Sequence, residues 1–210
     1  MPFRFVLPAS LPLLEQEAAD GADSIERQIA TLRADYGRAS RLLIGLGATA
    51  VLVVAIFLVC GLVGAFGFAI PFVAPMLALV ALGAGAVWLL LGLHRSGRRL
   101  SIALARRLSA DAEGRGSIAD AVLARTFILE PFILARLVVA SLSLLFGVMA
   151  ASVVFMPVSV ADPVEVSLAA ATTSIGVVLV LVGCEVFGGV FRVHRAHSRR
   201  DPVQRRLLGG

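Results

Sequence analysis

Apolar and polar positions in this chain are gathered into long blocks. Residues 42–93 contain no Asp, Glu, Lys or Arg, and residues 137–191 carry only Asp162, Glu165 and Glu185. Between them runs a polar, arginine-dotted segment, residues 94–136. Turn-forming residues divide each block. Gly61, Gly64, Gly67, Pro71 and Pro75 mark the first division, and residues 157–166 the second. Four apolar stretches result: 42–66, 72–93, 137–156 and 167–191. A helix rising 1.5 Å per residue needs about 20 residues to cross a hydrocarbon layer about 30 Å thick. Each stretch is long enough.

The polar segments have periodicity of their own. Asp23 with Glu26 three residues on is a capping-box-like start. Ile25, Ile29, Leu32 and Tyr36 then recur on one helix face, predicting an amphipathic helix that ends near Arg41. Such a helix either lies in the membrane interface or packs on another cytoplasmic helix. Ahead of it, residues 1–22 read as a mobile acidic leader. Their short apolar run, broken by Pro8 and Pro12, is too interrupted for a signal peptide. After the second span, Leu100, Leu104 and Leu108 keep helical spacing, so that helix runs on until residues 110–116 break it. Ser117 and Asp120 cap a further helix carrying Ala121, Ile128 and Leu129 towards Pro131, which ends or kinks it.

The predicted fold is an all-α integral membrane protein: four transmembrane helices as two hairpins, with amphipathic cytoplasmic helices before spans 1 and 3. Its segments are a leader and amphipathic helix (1–41), hairpin 1 (42–93), an arginine-rich connector (94–136), hairpin 2 (137–191) and an arginine-rich tail (192–210).

Charge supplies the orientation. All 19 basic residues are Arg: five in residues 1–41, eight in 94–136 and six from Arg192 onward. The turns on the opposite side hold none. The positive-inside rule therefore places both termini and the connector in the cytoplasm. Three or five spans would carry arginine clusters across the membrane. Exclusive use of Arg fits a GC-rich bacterial genome, so the expected location is a bacterial inner membrane.

Composition agrees with this picture. The chain is 59% hydrophobic and 16% charged, where soluble domains have about half and about a quarter. The net charge of +5 does not call for nucleic acid, because basic residues on cytoplasmic loops meet anionic headgroups. Cys60 and Cys184 sit in apolar blocks, as small buried hydrophobes with no disulfide framework.

The halves resemble each other weakly. Residues 23–25 open a helix leading to Arg41-Leu42-Leu43, and residues 116–118 open one leading to Arg136-Leu137-Val138. The hairpins exit at Leu93-His94-Arg95 and Val193-His194-Arg195. The pattern describes a parallel duplication, or two similar arginine-rich exits.

One acidic residue, Glu185, falls inside a span. A charge at a span centre costs about 2.5–3.5 kcal/mol, and less at Glu185, which is about 10 Å of helix from Arg192. Positions 185, 188, 189 and 192 form one stripe, with Gly188 and Gly189 leaving a groove. Arg192 folds back onto Glu185, or another helix fills the groove, or Glu185 serves a proton or cation. Structural pairing is the preferred expectation. His94, His194 and His197 have no Cys or carboxylate at ligand spacing, so no metal is expected. Ser141, Ser143, Thr172, Thr173 and Ser174 suit close helix packing. A phosphate-binding glycine loop, a nucleophile elbow and an HExxH motif are all missing from the sequence, and no cofactor is expected.

The expected function is a non-enzymatic accessory or scaffold subunit, as a homo-oligomer or with other membrane proteins. Its contacts with anionic lipid or a cytoplasmic partner would run through Arg95, Arg98, Arg99, Arg106, Arg107, Arg195, Arg199 and Arg200. The alternative is a small oligomeric channel or transporter using Glu185. A membrane enzyme ranks third.

Overall fold

The computed structural model describes residues 5–15, 22–114 and 131–198. Its helices are α1 (Leu11–Glu15), α2 (Ala22–Tyr36), α3 (Ala39–Phe66), α4 (Ile70–Gly114), α5 (Pro131–Ala151) and α6 (Pro163–Ser198). Short 3-10 turns occupy Pro8–Ser10 and Ser152–Phe155. No strand occurs among the described residues. Four helices are long and apolar enough to cross a membrane, and the molecule is an all-α, multi-pass membrane protein. The helix expected over residues 117–130 lies outside the described residues, as do residues 16–21 and the tail from Arg199.

Two compact units divide the chain. The span unit is Leu42–Leu91 with Val139–Glu185; the polar-end unit is Met1–Arg41, Gly92–Val138 and Val186–Gly210. Helices α3 to α6 each contribute residues to both.

In the span unit, helix ends follow local chemistry. Helix α3 stops at Gly67, whose φ of +60° suits only glycine without strain, and whose N–H donates to the Val63 carbonyl at 2.9 Å. Phe66 and Phe72 stack across that turn with ring centroids 4.2 Å apart. Helix α6 starts at Pro163, a few residues before the apolar block, because Asp162 caps it. The Asp162 carboxylate accepts the Val164 N–H at 2.9 Å, and Glu165 reaches back to the Ser159 N–H at 3.2 Å. Helix α5 is likewise helical from Pro131, ahead of the apolar block.

Glycines set how closely these spans approach. A Cβ on Gly147 would lie 2.7 Å from the Val180 amide and 3.0 Å from the Gly176 carbonyl oxygen; one on Gly176 would strike the Ala151 backbone. Gly183 meets Leu144 and the Ala140 carbonyl, Gly64 meets Ser167, and Gly83 faces Leu52 and Ala55. Without a hydrophobic force between helices in lipid, such backbone proximity supplies the packing. Cys60 is half-buried and Cys184 exposed, both as free thiols. Cys184 is therefore not the buried residue its apolar neighbours imply.

The polar-end unit has a core of its own. Leu32 of α2, Leu100 and Leu104 of α4, and Val193 of α6 are almost fully buried, joined by Ile29, Tyr36, Leu108, Ile133, Val190 and Ala196. The apolar stripe of α2 thus packs on other helices, the second of its two expected fates. Its helix ends at Tyr36 rather than near Arg41. Gly37 and Arg38 leave the helix, the Gly37 N–H still bonding the Arg33 carbonyl at 2.8 Å, and Arg41 joins the first turn of α3. The leader also departs from expectation over its described part. Val6 belongs to the core, Ser10 is fully buried, and Phe5 lies against Gly92. Apolar side chains before Glu15, not its acids, decide where this segment goes.

Candidate functional site

Where α2 turns into α3, charged side chains are buried together. Asp35, in the last turn of α2, is fully buried. One of its oxygens, Oδ2, accepts the Leu7 N–H at 2.9 Å. The other, Oδ1, lies 3.9 Å from Nη1 of Arg41. Arg41 donates through Nη2 to the Ser96 hydroxyl at 2.7 Å, and that hydroxyl donates to the Leu93 carbonyl at 3.0 Å. Asp35 and Arg41 therefore fasten the N-terminal segment, α2, α3 and α4 to one another.

Arg136 of α5 completes the group. Its Nη2 donates to the Tyr36 carbonyl at 2.6 Å, and its guanidinium lies 4.4 Å from the centre of the Tyr36 ring. The carbonyls of a last helical turn lack partners within their helix, and a cation there also opposes the negative end of the helix dipole. Arg136 supplies both. The Tyr36 hydroxyl projects to Gly189 of α6, where a Cβ would stand 3.3 Å away.

Burial dominates the electrostatics. It pushes the Tyr36 phenol above its ordinary pKa, while Arg136, Arg192 and Arg41 pull in the opposite direction. It pushes Arg41 below its ordinary value against the attraction of Asp35, and Arg136 and Arg38 add to the lowering. Asp35 Oδ1 and Arg41 Nη1 are buried with no hydrogen-bond partner among the described residues, and the buried Tyr36 hydroxyl has Arg136 beside it as a donor but no acceptor among them. Burying polar groups so costs free energy unless something completes them.

Glu185 is an exposed residue of the span unit and Arg192 an exposed residue of the polar-end unit. Gly188 faces open space, with nothing within 4 Å of where a Cβ would stand, whereas Gly189 receives Tyr36. Arg95, Arg98, Arg99, Arg106 and Arg195 are exposed or half-buried. Arg107 is not: it is 3% exposed, with Nε donating to the Gln28 side chain at 2.7 Å. It lies inside the polar-end unit, where the half-buried Gln28 offers an acceptor, and is not part of an open basic surface. Arg199 and Arg200 lie outside the described residues. No group of three or more His, Cys, Asp or Glu is placed to hold a metal among the described residues.

Sequence reasoning missed Asp35, Ser96, Arg41, Arg136 and the tyrosine hydroxyl. A signal existed for one of them. Gln28, Leu32 and Asp35 fall at i, i+4 and i+7, so the buried stripe of α2 already included two polar positions.

The cluster contains no nucleophile beside a base. It can fasten helices and present guanidinium donors to an anion. The class is therefore a multi-pass, all-helical membrane protein whose polar end is closed around buried arginines. Comparison with known proteins finds no matching family model, curated protein or solved structure.

Proposed function

We propose that this chain is a non-enzymatic accessory or scaffold subunit of a membrane complex in a bacterial inner membrane, with both termini cytoplasmic. The observation that carries the reading is the exposed, charge-poor surface of the spans. Phe57, Leu77, Trp88, Phe146, Met149 and Leu181 all stand outward, available to lipid or to the spans of another subunit. The hydroxyls within the spans support it. Thr49 donates to the Gly45 carbonyl at 2.8 Å, Thr172 to Leu168 at 2.8 Å and Ser167 to Pro163 at 2.7 Å. Those donors are spent within their own helices, whereas a conduit needs polar groups directed at a water path. Purification in mild detergent, followed by identification of co-purifying membrane proteins, tests the reading. A protein that elutes alone, as a single copy, at every detergent strength sinks it.

The second reading, a small oligomeric channel or transporter, is favoured by one observation: Glu185 is an exposed carboxylate among apolar neighbours on α6. Glu185→Gln separates the two. Ion or proton flux in proteoliposomes that collapses in this variant favours transport. Absence of flux, or flux indifferent to the substitution, removes its support.

A further inference from the structure

Positive charge gathers at Tyr36. Arg41, Arg136 and Arg192 act on its phenol, and Arg38 and Arg136 act on Arg41. Asp35 is the one carboxylate among the described groups acting on either residue. The cluster also contains two buried donors without acceptors among the described residues, the Tyr36 hydroxyl and Arg41 Nη1. Its outer members have donors to spare. Arg136 directs N–H groups to the Tyr36 carbonyl and hydroxyl and its face to the ring, leaving the rest of its five-donor fork. Arg38 and Arg192 are exposed. Next to Gly189, where the tyrosine hydroxyl rests, Gly188 leaves open space instead of a side chain.

Position along the chain sets the depth of this cluster. Arg41 immediately precedes Leu42, Arg136 precedes Leu137, and Arg192 follows Phe191, so each is the first charge beyond an apolar block. Headgroup phosphates lie at that level of a bilayer. A phosphodiester offers several acceptor oxygens around one negative centre, which suits forked guanidinium donors.

We propose that Arg136, stacked on Tyr36, and Arg192, one helical turn from the Gly189 that receives the Tyr36 hydroxyl, form a binding site for the phosphate of an anionic phospholipid headgroup. The site rests on the proposed contact between the arginine-rich face and anionic lipid, and gives that contact one address. Free phosphate shares the chemistry; the position of Arg136 and Arg192 at span ends selects the lipid.

The test uses the full chain, delipidated in neutral detergent, with bound lipid counted by native mass spectrometry during titration with phosphatidylglycerol or phosphatidylcholine. Wild type binds phosphatidylglycerol in preference. Arg192→Gln weakens that binding about fivefold, the attraction of one interfacial arginine. Tyr36→Phe, which removes only the buried hydroxyl, weakens it in the same direction. Arg27→Gln, an exposed arginine of α2 in the polar-end unit, leaves it unchanged. Thermal unfolding measured in parallel shows that the Arg192 and Tyr36 variants are folded. Equal loss from Arg192→Gln and Arg27→Gln overturns the site while leaving a diffuse basic face. No preference for phosphatidylglycerol in wild type overturns the site and the lipid contact together. Displacement of the lipid by millimolar inorganic phosphate makes it a soluble-anion site and overturns the lipid assignment. Co-purification of a partner protein is unaffected by any of these results, so failure of the scaffold reading shows separately.

Discussion

Asp35 and Arg41 offer the sharpest test of how the polar end is held. Asp35→Leu removes the acceptor of the Leu7 N–H, at 2.9 Å, and the carboxylate 3.9 Å from Arg41. Arg41 then stays buried, its side chain 10% exposed, with Ser96 as its remaining partner. Leaving one member of a buried ion pair behind costs about 3–5 kcal/mol. For a chain of this length about 2–4 °C of melting temperature goes with each kcal/mol, so the single variant should melt roughly 10 °C lower. Arg41→Met should do the same, because it strands Asp35 instead. The double variant Asp35→Leu/Arg41→Met should recover much of the loss. It no longer buries a lone charge, and the Ser96 hydroxyl keeps its own bond to the Leu93 carbonyl. What remains is the unsatisfied Leu7 N–H, worth about 1–3 kcal/mol. Thermal unfolding in detergent, followed by circular dichroism with recovery of monodisperse protein as a check, measures all three. The account is refuted if either single variant costs under about 1 kcal/mol, or if the double variant is less stable than both singles.

Two further contrasts probe the packing. Gly176→Ala should destabilise the protein by about 1–3 kcal/mol, since its Cβ meets the Ala151 backbone and lies 2.7 Å from the Gly147 carbonyl oxygen. Gly85→Ala, with nothing within 4 Å, should be neutral or gain up to about 1 kcal/mol of helix propensity; equal melting of the two variants in detergent would contradict the close approach of α5 and α6. Arg107→Ala should cost about 1.5–3 kcal/mol through its bond to Gln28. Arg106→Ala, exposed one residue earlier, should change stability by less than about 0.5 kcal/mol, as read by the same unfolding curves.

The spans were legible because nothing in them competes with the signal. Residues 42–66 have no charge to place elsewhere, and α3 ends at Phe66 as the glycines imply. The stripe Ile25, Ile29, Leu32 and Tyr36 was equally plain, since its period does not depend on what covers it. The cover itself was not. Leu100, Ile133 and Val193 meet Leu32 in one core although long stretches of chain separate them, and a periodic pattern carries no address. Arginines were harder still. Arg41 and Arg136 look in sequence like interfacial charges of the same kind as Arg95, and only tertiary neighbours decide which are buried. Arg107 and Arg106 make the point in adjacent positions, one held by Gln28 and the other exposed. The comparison of the two halves did pair Arg41 with Arg136, and both reach the last turn of α2.

The core of the polar-end unit also imposes an order on biogenesis. Its members run from Val6 to Ala196, so the chain supplies the first piece ahead of every span and the last only with the fourth. Leu32 and Tyr36, met first by Leu100 and Leu104, must wait for Ile133, Val190 and Val193 until the second hairpin enters the bilayer. A nascent chain arrested after Gly114 would hold α2 and α4 but lack Ile133, Val190 and Val193, and would display their shared apolar face. Quality control therefore has a ready mark of an unfinished molecule, and the mark disappears only when the last helix arrives.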